Sequence, residues 1–263
     1  MWLTKHRQLR QIGGVLETAN LLFLKLLFKN PAGSRVYPGL VFRDYMSLVK
    51  NERWPSRTIF EVCEGLTHDR IQLEHLPGSG IGTSIAELAY MAMICRAVRP
   101  QQIFEIGTFR GRTALNFALN SPDDCTIFTM DLPPEEKLNK PGDMNAADVQ
   151  IVSKSQTGID YQGKDVAHKI RQLFANSMNF DFSPYHGQVD IVFVDGGHHY
   201  EASASDTRNA LKMVRPGGFI LWHDFANYGD YNDVTRAVLD LLPRDSVVQL
   251  ENSELAVYRA PGV

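Results

Sequence analysis

The chain of 263 residues is longer than one average domain of roughly 150 residues and shorter than two, so one large α/β domain with an extension fits as well as two domains. Hydrophobic residues make up 44% and charged residues 22%, ordinary globular usage that excludes a largely disordered or fibrous chain. Against 27 Lys and Arg stand 30 Asp and Glu, a formal charge of −3; with no basic excess to release counterions, no nucleic acid is expected as a partner.

Three cysteines, Cys63, Cys95 and Cys125, are odd in number, far apart and without a CxxC pair. They suit neither a closed disulfide set nor a zinc site, and a reducing, cytoplasmic compartment is expected. Lys5, Arg7 and Arg10 precede an apolar run at residues 21–28, but Lys25 interrupts it and Asn30-Pro31-Ala32-Gly33-Ser34 matches a cleavage site only loosely. A secretory leader is therefore not expected. The run is also far short of the about 20 apolar residues that span a bilayer.

In chain order, residues 12–28 read as an amphipathic or largely apolar helix stopped by Asn30-Pro31. It would dock on the body or on a second subunit, making a homo-oligomer; contact with a membrane surface is the lesser alternative. Pro and Gly are scattered through residues 31–80, and Pro77-Gly78-Ser79-Gly80 marks a loop. Ile85, Leu88, Ala89, Ala92 and Met93 recur at helical spacing behind Ser84, with Glu87 three residues on, predicting a capping-box helix that ends before Arg99-Pro100. From there strands and helices alternate. Strands are expected at 102–106, 126–130, 189–194 and 218–222, and helices at 112–120, 166–174, 202–214 and 233–242. Residues 246–250 and 254–258, joined at Asn252-Ser253, read as a hairpin. Repeated βα units imply a doubly wound, Rossmann-like, mainly parallel sheet closed by an antiparallel hairpin, with its ligands beyond the carboxyl ends of the strands. The division expected is a helical extension over 1–100, serving oligomerisation or capping an acceptor, and a ligand-binding domain over 101–263.

The first strand end carries Glu105-Ile106-Gly107-Thr108-Phe109-Arg110-Gly111. Two glycines four apart between strand and helix permit a tight turn and close approach of a ligand to the backbone. A dinucleotide-binding GxGxxG fails at Phe109 and Arg112, and no Gly-Lys-Ser/Thr ending makes a P-loop. Glu105 at the crevice would repel a pyrophosphate and suit an amino-bearing ligand; a plain βα turn is the simpler alternative. Asp131 ends the next strand, 20 residues after Gly111, a spacing at which an acidic residue accepts both hydroxyls of a ribose. The lesser alternative is that it opens the turn at Leu132-Pro133-Pro134. Two further strand ends carry Asp195-Gly196-Gly197-His198-His199 and Trp222-His223-Asp224. On neighbouring strands Asp195, His223 and Asp224 would share one rim, where oxygen and imidazole ligands could surround a divalent cation. The alternative makes Asp195 a turn starter and the histidines a polar rim.

Taken together, residues 192–201 (Val-Phe-Val-Asp-Gly-Gly-His-His-Tyr-Glu), 215–220 (Arg-Pro-Gly-Gly-Phe-Ile) and Trp222-His223-Asp224 resemble the class I S-adenosylmethionine-dependent methyltransferases, closest to the macrolide-sugar and catechol types of O-methyltransferase. The resemblance covers roughly residues 102–259 and implies a seven-stranded sheet. It further implies that Glu105 with Gly107, Thr108 and Gly111 cradles the methionine part of S-adenosylmethionine, and that Asp131 holds the ribose. Asn176 and Ser177, standing where the family has Asp-Ser, would touch adenine. Asp195 would border the cofactor and bind a cation, Mg2+ or another divalent ion, together with Asp224 and His223. The chain departs from the family in having Asn176 for Asp, Phe225 where the catechol type has Asn, and His223 where the sugar type has Glu. His198 matches the general base of the sugar type and the lysine of the catechol type; His199 is expected to be structural or a rim contact.

The function implied is O-methylation of a small-molecule hydroxyl, on a sugar or glycoside rather than a catechol. The alternatives are an inactive binding protein on the same fold and a nucleotide-dependent oxidoreductase, the latter disfavoured by the failed dinucleotide signature. Residues 135–164 are too long for an ordinary connection and read as a lid, an acceptor-binding loop or solvated disorder.

Overall fold

A computed structural model describes residues 56–63, 66, 70–76, 82–139, 156–226 and 232–262. The helix expected at 12–28, the loop at 77–80 and residues 140–155 of the long connection lie outside them. The strands are β1 (Ser56–Arg57), β2 (Gln102–Ile106), β3 (Thr126–Asp131), β4 (Ile170–Phe174), β5 (Val189–Val194), β6 (Val214–Trp222), β7 (Val248–Leu250) and β8 (Ala256–Arg259). They form one sheet in the order β1-β7-β8-β6-β5-β2-β3-β4. Only β8 runs antiparallel, to β6 and β7. The helices are α1 (Ile59–Val62), α2 (Ile85–Val98), α3 (Arg112–Asn120), α4 (Pro134–Asn139), α5 (Tyr200–Met213) and α6 (Asn232–Leu241). Among the described residues, none of these is long and apolar enough to cross a membrane.

The sheet forms because its central strands are apolar on both faces. β5, Val-Asp-Ile-Val-Phe-Val, is buried at all six positions, as expected of a parallel strand covered on each side. On one face α2 and α3 pack Leu88, Met91, Ile94, Leu115 and Phe117 against Ile103, Ile127, Ile191 and Phe193. On the other, Tyr185 sets its ring edge on Phe104 and Phe128, with centroids 4.8 and 5.0 Å away. The capping box read from sequence closes α2: Ser84 N donates to Glu87 Oε2 at 2.7 Å, and Glu87 N to Ser84 Oγ at 3.3 Å. From β2 the chain steps outward through β3 to β4, whereas β5 leads to β6 on the opposite side. The ends of β2 and β5 thus flank a topological switch point, where open α/β sheets bind ligands.

Two features differ from expectation. Residues 166–174 are not a helix: a 3-10 turn (Asp165–Lys169) leads into β4, which pairs in parallel with β3 from Ile127↔Ile170 to Asp131↔Phe174. The apolar spacing suited a helix, but β3 exposed an edge that needed pairing. The buried Lys169 also anchors the segment by donating from Nζ to Ala118 O and Ser121 O, at 3.0 and 3.1 Å, at the end of α3. Tertiary context outweighed local pattern. The sheet also has an eighth strand, the two-residue β1 beside β7.

One connection is held by side chains. Asn116 and Asn120, a helical turn apart on α3, each pair with an extended stretch of backbone. Glu74 N donates to Asn116 Oδ1 at 3.0 Å and Asn116 Nδ2 to Glu74 O at 3.1 Å. Gln72 N donates to Asn120 Oδ1 at 2.9 Å and Asn120 Nδ2 to Gln72 O at 2.7 Å. Leu73, between them, turns onto the core.

Candidate active site

The turn after β2 requires glycine twice. Gly107 has φ of 105° and Gly111 of 82°, and a Cβ on Gly107 would lie 1.9 Å from the carbonyl oxygen of Asp195. The turn after β2 and the turn after β5 are therefore in backbone contact, pinned by Asp195 N donating to Ile106 O at 2.8 Å. Asp131 closes the same turn from β3: Oδ2 accepts from Phe109 N at 2.9 Å and Oδ1 from Leu132 N at 2.8 Å. It stays half-buried at the rim.

Glu105 is fully buried. Its Oε2 accepts from Thr129 Oγ1, while Oε1 has no hydrogen-bond partner among the described residues. Burial pushes its carboxyl well above the ordinary range, and the charges of Asp195 and Asp131 add to that. Thr108 turns inward to the same network, 2.7 Å from Thr129 Oγ1 and accepting from Gln172 Nε2 at 3.0 Å. The network ends at Tyr161, whose hydroxyl donates to Gln172 Oε1 at 2.6 Å. Beyond β4, Asn176 Oδ1 accepts from Met178 N at 3.0 Å, forming the turn that carries Ser177.

At the ends of β5 and β6 the structure brings four residues together. His198 Nε2 lies 3.0 Å from Asp224 Oδ2 and 4.0 Å from Asp195 Oδ1. One ligand atom from each of Asp195, His198 and Asp224 falls within 4.8 Å of the others. His223 lies behind them: Nδ1 is 3.1 Å from both Asp195 Oδ1 and Asp224 Oδ2, and Nε2 is 3.4 Å from Glu87 Oε2. Burial works against charge at each of these groups, yet the ion pairs prevail. Asp195, Asp224 and Glu87 are held below the usual carboxylate range and His223 well above the usual imidazole range. His199 is the residue before the first turn of α5 and makes no side-chain cap.

Two hard carboxylate oxygens and an imidazole are a donor set for a divalent cation. The orphaned Oε1 of Glu105 and the glycine turn suit an amino-bearing ligand. Both groups implied by the resemblance fit the residues present. The strand-end residues were all legible in the sequence. Glu87 was legible only as a capping residue, because nothing local indicates that α2 reaches the end of β6. The Thr129–Gln172–Tyr161 network carried no signal.

Residues 104–225 match the family described as a methyltransferase domain. The matched segment runs from β2 to just beyond the end of β6 and includes the strand-end residues Glu105, Asp131, Asp195, His223 and Asp224. Among curated relatives, caffeoyl-CoA O-methyltransferase 2 of Zea mays is 28% identical over 147 residues, 55% of this chain and 49% of the relative. Caffeoyl-CoA O-methyltransferase of Stellaria longipes is 24% identical over 163 residues, 60% of each chain. The chain thus spans about half the length of the curated relatives it matches. In fold it is similar to the SAH-bound Podospora anserina methyltransferase PaMTH1 (TM-score 0.51, 16% identity, 87% of this chain and 97% of that one). It is similar also to cofactor-bound Rv0187 from MTB (TM-score 0.50, 15% identity, 91% and 97%). At such identities the likeness is one of fold.

Proposed function

We propose that the protein transfers a methyl group from S-adenosylmethionine to a hydroxyl of a small molecule, on a sugar or glycoside, with the help of a divalent cation. The observation that carries this reading is the contact of Gly107 with the Asp195 carbonyl, which joins the cofactor turn and the carboxylate rim back to back. Donor and acceptor would meet across that contact, and methyl transfer is an in-line displacement that depends chiefly on such alignment.

In this scheme Glu105 and the turn from Gly107 to Gly111 hold the methionine part, Asp131 takes the ribose hydroxyls, and Asn176 with Ser177 lines the adenine. Thr108 supports the turn from within. When bound, S-adenosylmethionine supplies the sulfonium methyl and a cation lowers the pKa of the acceptor hydroxyl. Asp195 and Asp224 hold that cation, with an imidazole as third ligand. His198 Nε2 takes the hydroxyl proton. A second reading makes His198 itself the third ligand, favoured by its place with Asp195 and Asp224 and by the engagement of both His223 nitrogens. Residues 1–100 would serve as an extension for oligomerisation or for capping the acceptor, and the protein would act in the cytoplasm.

The test pairs calorimetry of S-adenosylmethionine against NAD with a labelled methyl donor over a panel of hydroxyl compounds. On the acceptor found, His198→Ala should lower turnover about 10²–10⁴-fold. Unchanged Mn2+ affinity in that variant marks His198 as the base; lost Mn2+ affinity marks it as a ligand. No binding of S-adenosylmethionine by the wild type would end the reading.

A further inference from the structure

The far end of the long connection is bound to the cofactor turn. Gly158 N donates to Phe109 O at 3.0 Å and Asp160 N to Arg110 O at 2.9 Å, while Arg110 Nη2 donates to Asp160 Oδ1 at 2.7 Å. Tyr161 is buried at this junction with its ring across the bare face of Gly111. A Cβ on Gly111 would lie 2.5 Å from ring carbons Cδ1 and Cε1, and one on Gly158 would overlap the hydroxyl. The space that a side chain at position 111 would need is taken by Tyr161.

From its hydroxyl, the hydrogen bonds toward Glu105 have one direction. Gln172 Nε2 faces three oxygens, Thr108 Oγ1 and Leu173 O at 3.0 Å and Thr129 O at 3.2 Å. Two of these are carbonyls, which only accept, so the amide nitrogen is fixed on that side and Gln172 Oε1 faces Tyr161. The Tyr161 hydroxyl therefore donates to Oε1, at 2.6 Å. Thr129 gives its single hydroxyl proton to Glu105 Oε2, so Thr108 Oγ1, 2.7 Å away, donates to Thr129 Oγ1 while accepting from Gln172. Every proton in the chain points from Tyr161 toward Glu105, whose Oε1 is left without a partner among the described residues.

We propose that Tyr161 is a positioning residue for the amino-acid part of the cofactor: it starts a one-way chain of hydrogen bonds that fixes Glu105 Oε2 as an acceptor and leaves Oε1 to the ligand's ammonium group. The inference rests on the cofactor reading above. Each donor in such a chain polarises the next, so the carboxyl feels the tyrosine hydroxyl four hydrogen bonds away. Recognition of the amino group thereby depends on a residue of the connection after β3, which need not touch the ligand.

The test is calorimetry on the full chain with two ligands, S-adenosylhomocysteine, which carries the amino-acid group, and 5′-methylthioadenosine, which lacks it. Tyr161→Phe keeps the ring against Gly111 and removes only the hydroxyl. It should weaken S-adenosylhomocysteine about two- to tenfold, the range of one net hydrogen bond, and leave 5′-methylthioadenosine unchanged. Gln172→Leu should give the same split, and Tyr161→Phe should cost nothing more in that background, since both act through one chain. Equal losses for the two ligands would make Tyr161 a mere prop of the turn; that result, or no loss for either, overturns the inference and leaves the cofactor reading standing. A wild type that binds neither compound overturns both. Should 5′-methylthioadenosine alone fail to bind the wild type, Glu105→Gln decides: Tyr161→Phe should cost S-adenosylhomocysteine nothing further in that background, and a further loss overturns the proposal.

Discussion

The carboxyls at the ends of β5 and β6 and those behind the cofactor turn are buried in the same few layers of the protein, yet their acidities move in opposite directions. Asp195, Asp224 and Glu87 surround His223, and each is held in its charged form. Among the described residues Glu105 and Asp206 pair with no cation, and burial shifts both toward their neutral form. The first region carries a countercharge of its own in His223. In the second, polar atoms are withdrawn from water without replacement, a condition that a bound polar molecule relieves. Preorganised electrostatics and unsatisfied polarity thus stand side by side, one suited to holding a reacting centre and the other to recognition.

The largest test of this contrast removes the countercharge. His223→Leu would leave three carboxylates facing one another, and a loss of about 3–5 kcal/mol in urea-denaturation stability is expected. A loss below about 1 kcal/mol would mean that the cluster is solvated rather than paired. Its pH signature is two-sided. The depressed carboxylates stabilise above their unfolded values near 4 and lose that contribution as pH falls through their folded values. His223, whose pKa is raised, stabilises below about 6.5 and loses its contribution as pH rises through its folded value. The wild type should therefore exceed the variant most between about pH 4 and 6.5.

Next in size is Asp131→Ala. Loss of charge-assisted contacts to the ribose should weaken S-adenosylhomocysteine binding by about 1.5–3 kcal/mol in calorimetry. Equal affinity would reduce Asp131 to a turn residue for Phe109 and Leu132. Asp206 should respond to pH in the opposite sense to the rim. A buried acid with its pKa raised to about 7 favours folding below its unfolded value near 4, and that contribution fades as pH rises through 7. Asp206→Asn carries no such dependence, so its stability relative to wild type should climb between pH 4 and 8, by about 4 kcal/mol at most. Parallel melting curves across that range would refute the assignment of a neutral carboxyl.

Much of this architecture was legible because pattern and environment agree. β5 is apolar at every position but Asp190 and is followed by Gly196-Gly197; α2 announces itself through Ser84 and Glu87; the glycines of the β2 turn are where the backbone needs positive φ. β4 was misread because Val166, Ile170, Leu173 and Phe174 satisfy a helical period, and only the unpaired edge of β3 overrides it. At the site, the sequence places acids and histidines at strand ends but not the distances among them. The choice between His198 and His223 beside Asp224 depends on which ring α2 reaches with Glu87. Asp206 sits in a helix of mostly small and polar residues, where no local signal separates a buried acid from a solvated one.

The asparagine pair on α3 has a consequence for how the chain can vary. Four residues of helix rise about 6.0 Å and two residues of extended chain about 6.6 Å, so side chains at 116 and 120 gauge alternate peptide groups of the extended stretch. What they read is main chain, common to every residue but proline. Gln72 and Glu74 can thus change identity without loosening the grip, provided each keeps its N–H, whereas proline at either position removes a donor, and a one-residue slip would turn Leu73 away from the core. That stretch is held by register rather than by composition, a tether whose wording is free and whose spacing is not.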